Sequence, residues 1–353
     1  MSTIIDSGAG VRAGRDQRAV VLWLYAVAAL VFVMIVVGGI TRLTESGLSM
    51  VEWRPVTGWL PPLSEAAWQA EFEKYKAFPE YQKVNAGMSL ADFKTIYAWE
   101  FAHRLLGRII GLAFFAPLVF FLATGRIRRS QAPWFVFLLL AGGSQGALGW
   151  YMVQSGLIDN PDVSQYRLAA HLFLAFAIYA LLIWTAWTLR SRGAAPPAVT
   201  AGFRTAATVL GVLVAVQIVI GAFVAGTNAG FAYSTWPTMD GDLIPPYMFD
   251  TSPWWLAAFE DVTTIQFLHR TVGYLIAAAA VWLFFAGRRI GRPARSAATA
   301  ALHLVLIQIV LGIATLLMVV PVWLGALHQA MAVLVWTAAV YALRMGWTGR
   351  RSA

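Results

Sequence analysis

The chain reads as an all-α membrane protein: eight transmembrane helices in two tandem, pseudo-two-fold-related four-helix bundles, with both termini cytoplasmic. Three observations lead there. The composition is 59% hydrophobic and only 12% charged over 353 residues, with a mean hydropathy of +0.66, far from a soluble-domain average. Apolar stretches long enough to cross about 30 Å of hydrocarbon recur along the chain. The second half also restates motifs of the first in the same order, an internal repeat.

The expected spans lie near 20–40, 97–123, 132–153, 166–189, 203–225, 264–286, 297–319 and 324–344. Short connections on one side carry the arginines. Arg12, Arg15 and Arg18 precede the first span, and Arg126, Arg128 and Arg129 follow the second. Arg190, Arg192 and Arg204 surround the fourth-to-fifth connection, and Arg288, Arg289, Arg292 and Arg295 fill the sixth-to-seventh. Arg344, Arg350 and Arg351 end the chain. The positive-inside rule places this side in the cytoplasm. Residues 1–19 then form a cytoplasmic tail, 20–190 the N-terminal half, 191–202 a cytoplasmic linker, 203–345 the C-terminal half and 346–353 a second tail. The first residues lack a compact signal-peptide pattern and lead into a span expected to stay uncleaved.

Of seventeen acidic residues, only Asp6 and Asp16 fall on the cytoplasmic side, and the rest mark the outer face. The net charge of +9 therefore belongs to the inner surface, opposite anionic lipid, and nucleic-acid binding is not expected. Two outer segments are long. Residues 41–95 hold Trp53, Trp59, Trp68 and all four lysines, and SEAAWQAEFEKYKAF within them reads as a short amphipathic helix at the membrane surface. Residues 226–262 hold Trp236, Trp254 and Trp255. Loops of this length in a compact bundle are usually lids or docking surfaces. The absence of cysteine excludes disulfides, thiolate-ligated haem, cysteine-held iron–sulfur clusters and CxxCH haem attachment.

The repeat is carried by TESGLSMVEW (44–53) against TNAGFAYSTW (227–236), and by EFAHRLLGRIIG (100–111) against QFLHRTVGYLIA (266–277). Each half places a further histidine near the start of its fourth helix, in RLAAHLFLAF and GALHQAMAVL. Four spans per half is an even number, so the repeat should be parallel, with its axis along the membrane normal.

His103, His171, His269 and His328 accordingly fall at one depth, near the outer leaflet. His303 begins a helix entering from the cytoplasm and falls near the inner end. A lone intramembrane histidine is as often a packed, hydrogen-bonded residue as a functional one, and His303 receives that reading. Four at one depth in two repeated pairs point further, to axial ligands of two buried haems. The repeat pairs His103 with His171 and His269 with His328.

Arg104 and Arg270 follow the first histidine of each pair and could bind haem propionates; the plainer reading is an interfacial snorkelling pair. Glu100 shares a helix face with His103, whereas the matching residue is Gln266. A carboxylate can take up protons; the structural alternative pairs it with Arg104 or Arg108. Gln145, Gln217 and Gln308 each precede a glycine by four residues, a pattern read as close helix packing. Pro117 should kink the second span.

As a set, GGITRLTESGLSMVEWRP (38–55), EFAHRLLGRIIG (100–111), QYRLAAHLF (165–173), AGTNAGFAYSTWP (225–237), FLHRTVGY (267–274) and GALHQAM (325–331) resemble the haem A synthase family over about residues 20–345. The resemblance implies a haem b cofactor on His269 and His328, and a haem O substrate on His103 and His171 with Glu100 as the catalytic acidic residue. It implies oxidation of the haem O C8 methyl to a formyl group, giving haem A for terminal oxidases, by successive hydroxylations to a gem-diol that loses water. Many bacterial relatives carry a cysteine pair in the first outer loop. This chain has none and resembles the cysteine-free alphaproteobacterial and mitochondrial-like branch, which puts any thiol-based electron route in doubt. The short N-terminal tail favours the bacterial inner membrane, with the haem sites toward the periplasm. Implied partners are the bilayer, an unidentified electron acceptor or donor, the protohaem farnesyltransferase that supplies haem O, and oxidase assembly factors; a homo-oligomer is compatible with all of these. The competing reading is a two-haem b-type electron carrier without substrate chemistry; a third, a haem transporter, is disfavoured because the histidines cluster at one face.

Overall fold

The computed structural model describes the chain except residues 1–2, 55, 159–160, 192–194, 196 and 352–353; side chains are described from Gln17 to Arg350. The sequence expectations for Asp6, Arg12, Arg15, Asp16, Arg192 and Arg351 lie outside the described side chains. Among the described residues, eight helices are long and apolar enough to span a membrane. They are α1 (Thr3–Leu43), α4 (Leu90–Ala123), α5 (Ala132–Gly156), α6 (Gln165–Arg190), α7 (Ala201–Gly226), α9 (Val262–Arg288), α10 (Arg292–Leu317) and α11 (Val322–Thr348). Three short helices sit in the long connections: α2 (Glu65–Lys76), α3 (Pro79–Lys83) and α8 (Ala257–Glu260). The only described strands are two-residue segments, β1 (Ala198–Val199) and β2 (Arg350–Arg351), paired in parallel.

Large apolar side chains such as Leu112, Phe115, Leu140, Val212, Phe285 and Val310 stay exposed along these helices. In water that would be an aggregation liability; in hydrocarbon it is the lipid-facing surface. The chain is a multi-pass membrane protein. In the N-terminal half α1 packs on α4 and α6, and α5 on α4 and α6; in the C-terminal half α7 packs on α9 and α11, and α10 on α9 and α11. The halves meet through α1, α6, α7 and α11. Trp336 Nε1 donates to the Phe176 carbonyl at 3.0 Å, Tyr179 and Thr337 hydroxyls lie 2.9 Å apart, and Gln329 Nε2 donates to the Ile35 carbonyl at 2.8 Å.

One helix boundary departs from expectation. Helix α4 starts at Leu90, ahead of the apolar run at 97, because Ser89 and Asp92 form a reciprocal capping box. This extension gives α2 something to pack against: Phe72 and Tyr75 of α2 are buried with Phe93 and Tyr97 of α4. The apolar side of α2 is thus covered by protein. Pro117 sits inside a helix that continues to Ala123. A proline there leaves the carbonyl four residues earlier without its amide partner, and Trp23 Nε1 of α1 donates to that carbonyl, Ala113 O, at 2.8 Å.

Candidate haem-binding sites

His269 stands one-third of the way into α9 and His328 in the second turn of α11. Their ring centroids are 6.5 Å apart. Two imidazoles bound to one metal from opposite sides, through bonds of about 2.0–2.1 Å, would place their centroids roughly 6 Å apart. The spacing therefore fits one iron between them. His103 of α4 and His171 of α6 lie within electrostatic reach of each other. His303 faces outward from α10, its Nδ1 2.9 Å from the Thr299 carbonyl, and joins neither pair. Among the described residues no cluster of three or more histidine, aspartate or glutamate side chains gathers around a metal-sized space. Paired axial ligands suit a cofactor that brings its own equatorial donors.

Each histidine is backed by a glycine of a neighbouring helix. A Cβ at Gly149 or at Gly312 would lie 2.9 Å from Cε1 of His171 or His328, and one at Gly221 3.4 Å from Cε1 of His269. At His103 the glycine is Gly38 of α1, with its Cβ position 3.2 Å from Nε2. One helical turn before three of these glycines comes a glutamine that touches the same histidine. Gln145 Nε2 donates to the His171 carbonyl at 3.0 Å and Gln217 Nε2 to the His269 carbonyl at 2.9 Å. Gln308 Nε2 lies 3.2 and 3.3 Å from the two ring nitrogens of His328. The glutamine–glycine spacing, expected to be helix packing alone, is the cradle of the histidines. Sequence reasoning missed this because the spacing was visible but its partner was not. The Oε1 atoms of all three glutamines, with Nδ1 of His171 and of His269, are buried without a hydrogen-bond partner. Buried polar groups left unsatisfied call for an explanation such as an absent ligand, and paired imidazoles are a donor set that fits haem iron.

The outer loops are held onto the sites by a clamp that occurs in both halves. Glu100 is 2% exposed. Its Oε2 accepts from Ser49 Oγ and from the Met50 amide, each at 2.7 Å, and its Oε1 from Arg104 Nη2 at 2.5 Å. Arg104 also donates to the carbonyls of Glu52 at 2.7 Å and Met50 at 2.6 Å. Correspondingly, Gln266 Nε2 donates to the carbonyls of Ala229 and Tyr233 at 2.9 and 3.1 Å, and its Oε1 accepts from Arg270 Nη2 at 3.2 Å. Arg270 reaches on to Tyr233 O and Thr238 O. Glu100 thus does pair with Arg104, the structural alternative raised by its position. Arg104 and Arg270, expected beside propionates, are occupied first as loop anchors. Arg270 retains a buried Nε–H without a partner, and a cavity of about 230 Å³ outside the first clamp is lined in part by Arg54, Arg104 and Arg108. Both remain able to receive an anionic group.

In the outer loop Glu80 of α3 is 6% exposed with one carboxylate oxygen unpartnered. Burial raises its pKa to about 7; a hydrogen bond from Tyr75 opposes that rise, and the charges of Glu100 and Glu45 add to it.

Comparison with known proteins finds relatives over most of the chain. A family model described as cytochrome oxidase assembly protein matches residues 21–340. A protein of Parvibaculum lavamentivorans named heme A synthase is 52% identical over 326 residues, covering 92% of this chain and 94% of its own. Proteins of the same name from Nitrosospira multiformis and Azorhizobium caulinodans are 49% and 50% identical, covering 92% and 93% of this chain.

Proposed function

Because the chain belongs to the cytochrome oxidase assembly family, with relatives named heme A synthase at about half identity, we propose that it synthesises haem A by oxidising the C8 methyl of haem O to a formyl group. The reaction runs by successive hydroxylations to a gem-diol that loses water. His103 and His171 hold the substrate iron in the N-terminal half. His269 and His328 hold a resident haem b, which when bound supplies electron transfer toward an external redox partner. The enzyme lies in the bacterial inner membrane, with both termini cytoplasmic and both haem sites toward the periplasm. Haem O is lipophilic, so delivery from the farnesyltransferase that makes it through the bilayer is the economical route. Arg104 and Arg270 would receive the propionates of the two haems.

One observation carries the assignment of the reactive site. The clamps in the two halves share a plan, arginine at i+4 and outer-loop backbone, but differ in polarity: Gln266 donates to loop carbonyls, whereas Glu100 accepts from the Ser49 hydroxyl and the Met50 amide. An amide anchors the loop in one half, and only the other half buries a proton-accepting carboxylate at this position. That difference supports a chemical role for Glu100. With water as the oxygen source and two electrons leaving to the redox partner, each oxidation of the methyl would release two protons, and Glu100, on the His103 face of α4, would accept them. Oε2 shares the Ser49 hydroxyl proton, and Ser49 in turn donates within the loop or to the carboxylate. Arg104 and Met50 N keep the carboxylate aimed.

Glu100→Gln is the test, because it copies the second half. In cells where this chain is the only source of haem A, the variant should fold and retain bound haem. Haem A formation should fall by about 10²–10⁴, the range for losing an acid–base group. Unchanged haem A production, or pigment extracts containing only haem b in the unaltered protein, would overturn the proposal.

A further inference from the structure

The cradle of glutamine and glycine occurs three times, and the fold holds a fourth copy with one change. Counting back four residues from Gly38, as from Gly149, Gly221 and Gly312, gives Met34. The equivalence is spatial as well. In the C-terminal half, the nearest atom to a Cβ at Gly273, four residues after His269, is Gln217 Nε2 at 3.9 Å. In the N-terminal half, the nearest atom to a Cβ at Gly107, four residues after His103, is the Met34 methyl at 3.3 Å. Met34 thus occupies on α1 the place that Gln217 occupies on α7.

A thioether cannot do what the amide does. Gln145 and Gln217 pin the carbonyl of their histidine, and all three glutamines bring Nε2 within 3.5 Å of a ring nitrogen. Among the described residues, no side chain donates to the carbonyl or to a ring nitrogen of His103. Its ring also sits differently on its glycine. The Cβ position of Gly38 meets Nε2 and Cδ2, whereas the other three glycines meet Cε1 first. Methionine is flexible and makes no hydrogen bond of comparable strength, while groups outside the ligands orient them and set how firmly a metal is held.

We propose that Met34 makes His103 the releasable ligand, so that the N-terminal site exchanges its haem while the glutamine-backed C-terminal site keeps its own. This rests on the reading of the N-terminal half as the substrate site. A substrate haem must arrive and its product must leave, whereas a cofactor must stay. Three histidines carry an amide contact and one does not, so the bond to His103 is the one that yields first.

The test is haem transfer from the purified full-length protein to excess apomyoglobin, with the released and retained pigments identified by extraction and chromatography. Met34→Gln supplies the missing amide. It should slow loss of haem O and haem A roughly tenfold, the worth of one net hydrogen bond, and shift the absorption band of that haem while leaving haem b unchanged. Gln217→Met performs the reverse exchange and should speed haem b loss by a similar factor. Equal release rates for Met34→Gln and the unaltered protein, or haem b retention unaffected by Gln217→Met, would overturn the inference while leaving the reaction assignment standing. Only haem b in the unaltered protein would instead remove the reading on which it rests. Because Gln217→Met introduces a residue the fold already accepts at the equivalent position, and each variant reports on a different haem, misfolding of one leaves the other decisive.

Discussion

At the residue scale the sites are shaped by what is missing as much as by what is present. A glycine behind each histidine lets a neighbouring helix backbone approach the imidazole. The distances grade the consequence of adding a methyl. At Gly149 and Gly312 the added Cβ would sit 2.9 Å from a ring carbon, closer than real contacts allow, while at Gly221 it would sit at 3.4 Å, an ordinary contact. Gly149→Ala and Gly312→Ala should therefore displace His171 and His328 and cost about 1–3 kcal/mol as overpacking. Each should lower the haem content of its own half in purified protein. Gly221→Ala should retain haem at near the unaltered level. Equal haem content in all three variants would show that the rings have room to move. None of this was legible beforehand. The sequence displayed four-residue spacings, and spacing in an apolar helix is equally consistent with helix packing.

At the element scale, each long outer loop is tied to a transmembrane helix by a buried side chain and an arginine one turn later. The first loop adds a small core of its own, α2 and α3 against the extended start of α4. Glu80 lies in that region with its pKa raised to about 7, chiefly by burial, from 4.5. The folded loop thus binds a proton that the unfolded loop releases between those values. Stability is highest below about pH 4.5 and falls as pH rises toward 7, by at most about 3 kcal/mol. Glu80→Gln should remove this slope. Limited proteolysis of the loop at pH 5.5 and pH 8 would measure it: the unaltered loop is cut faster at pH 8, the variant at similar rates. A loop equally protected at both pH values before substitution would refute the linkage.

At the scale of the whole molecule, the eight spans and the arginine-rich connections predict, by the positive-inside rule, that both termini are cytoplasmic. The chain has no cysteine, so single substitutions report on it without further changes. Leu63→Cys in the first outer loop and Arg289→Cys between α9 and α10 are both exposed positions. A membrane-impermeant maleimide added to spheroplasts should label the first and spare the second until the membrane is opened. The opposite pattern would invert the topology and with it the side on which both haem sites lie.

Much of the architecture could be written down from the chain alone. Span number, the depth of His103, His171, His269 and His328, the exclusion of His303, and the Glu100–Gln266 difference all follow from hydropathy, charge and internal repetition, which act along one dimension. The contacts between helices did not follow. A soluble helix announces its buried face through an apolar stripe, but a helix that meets lipid on one side and protein on the other is apolar all round, and its rotation is unreadable from periodicity. The pairing of Gln145 with His171, of Gln217 with His269, and of Met34 with the helix of His103 depends on that rotation. So does the fact that Arg104 and Arg270 hold loops. Where the histidines lie was a property of the chain; what holds each of them, and which one is left unheld, was settled by how the helices turn toward one another.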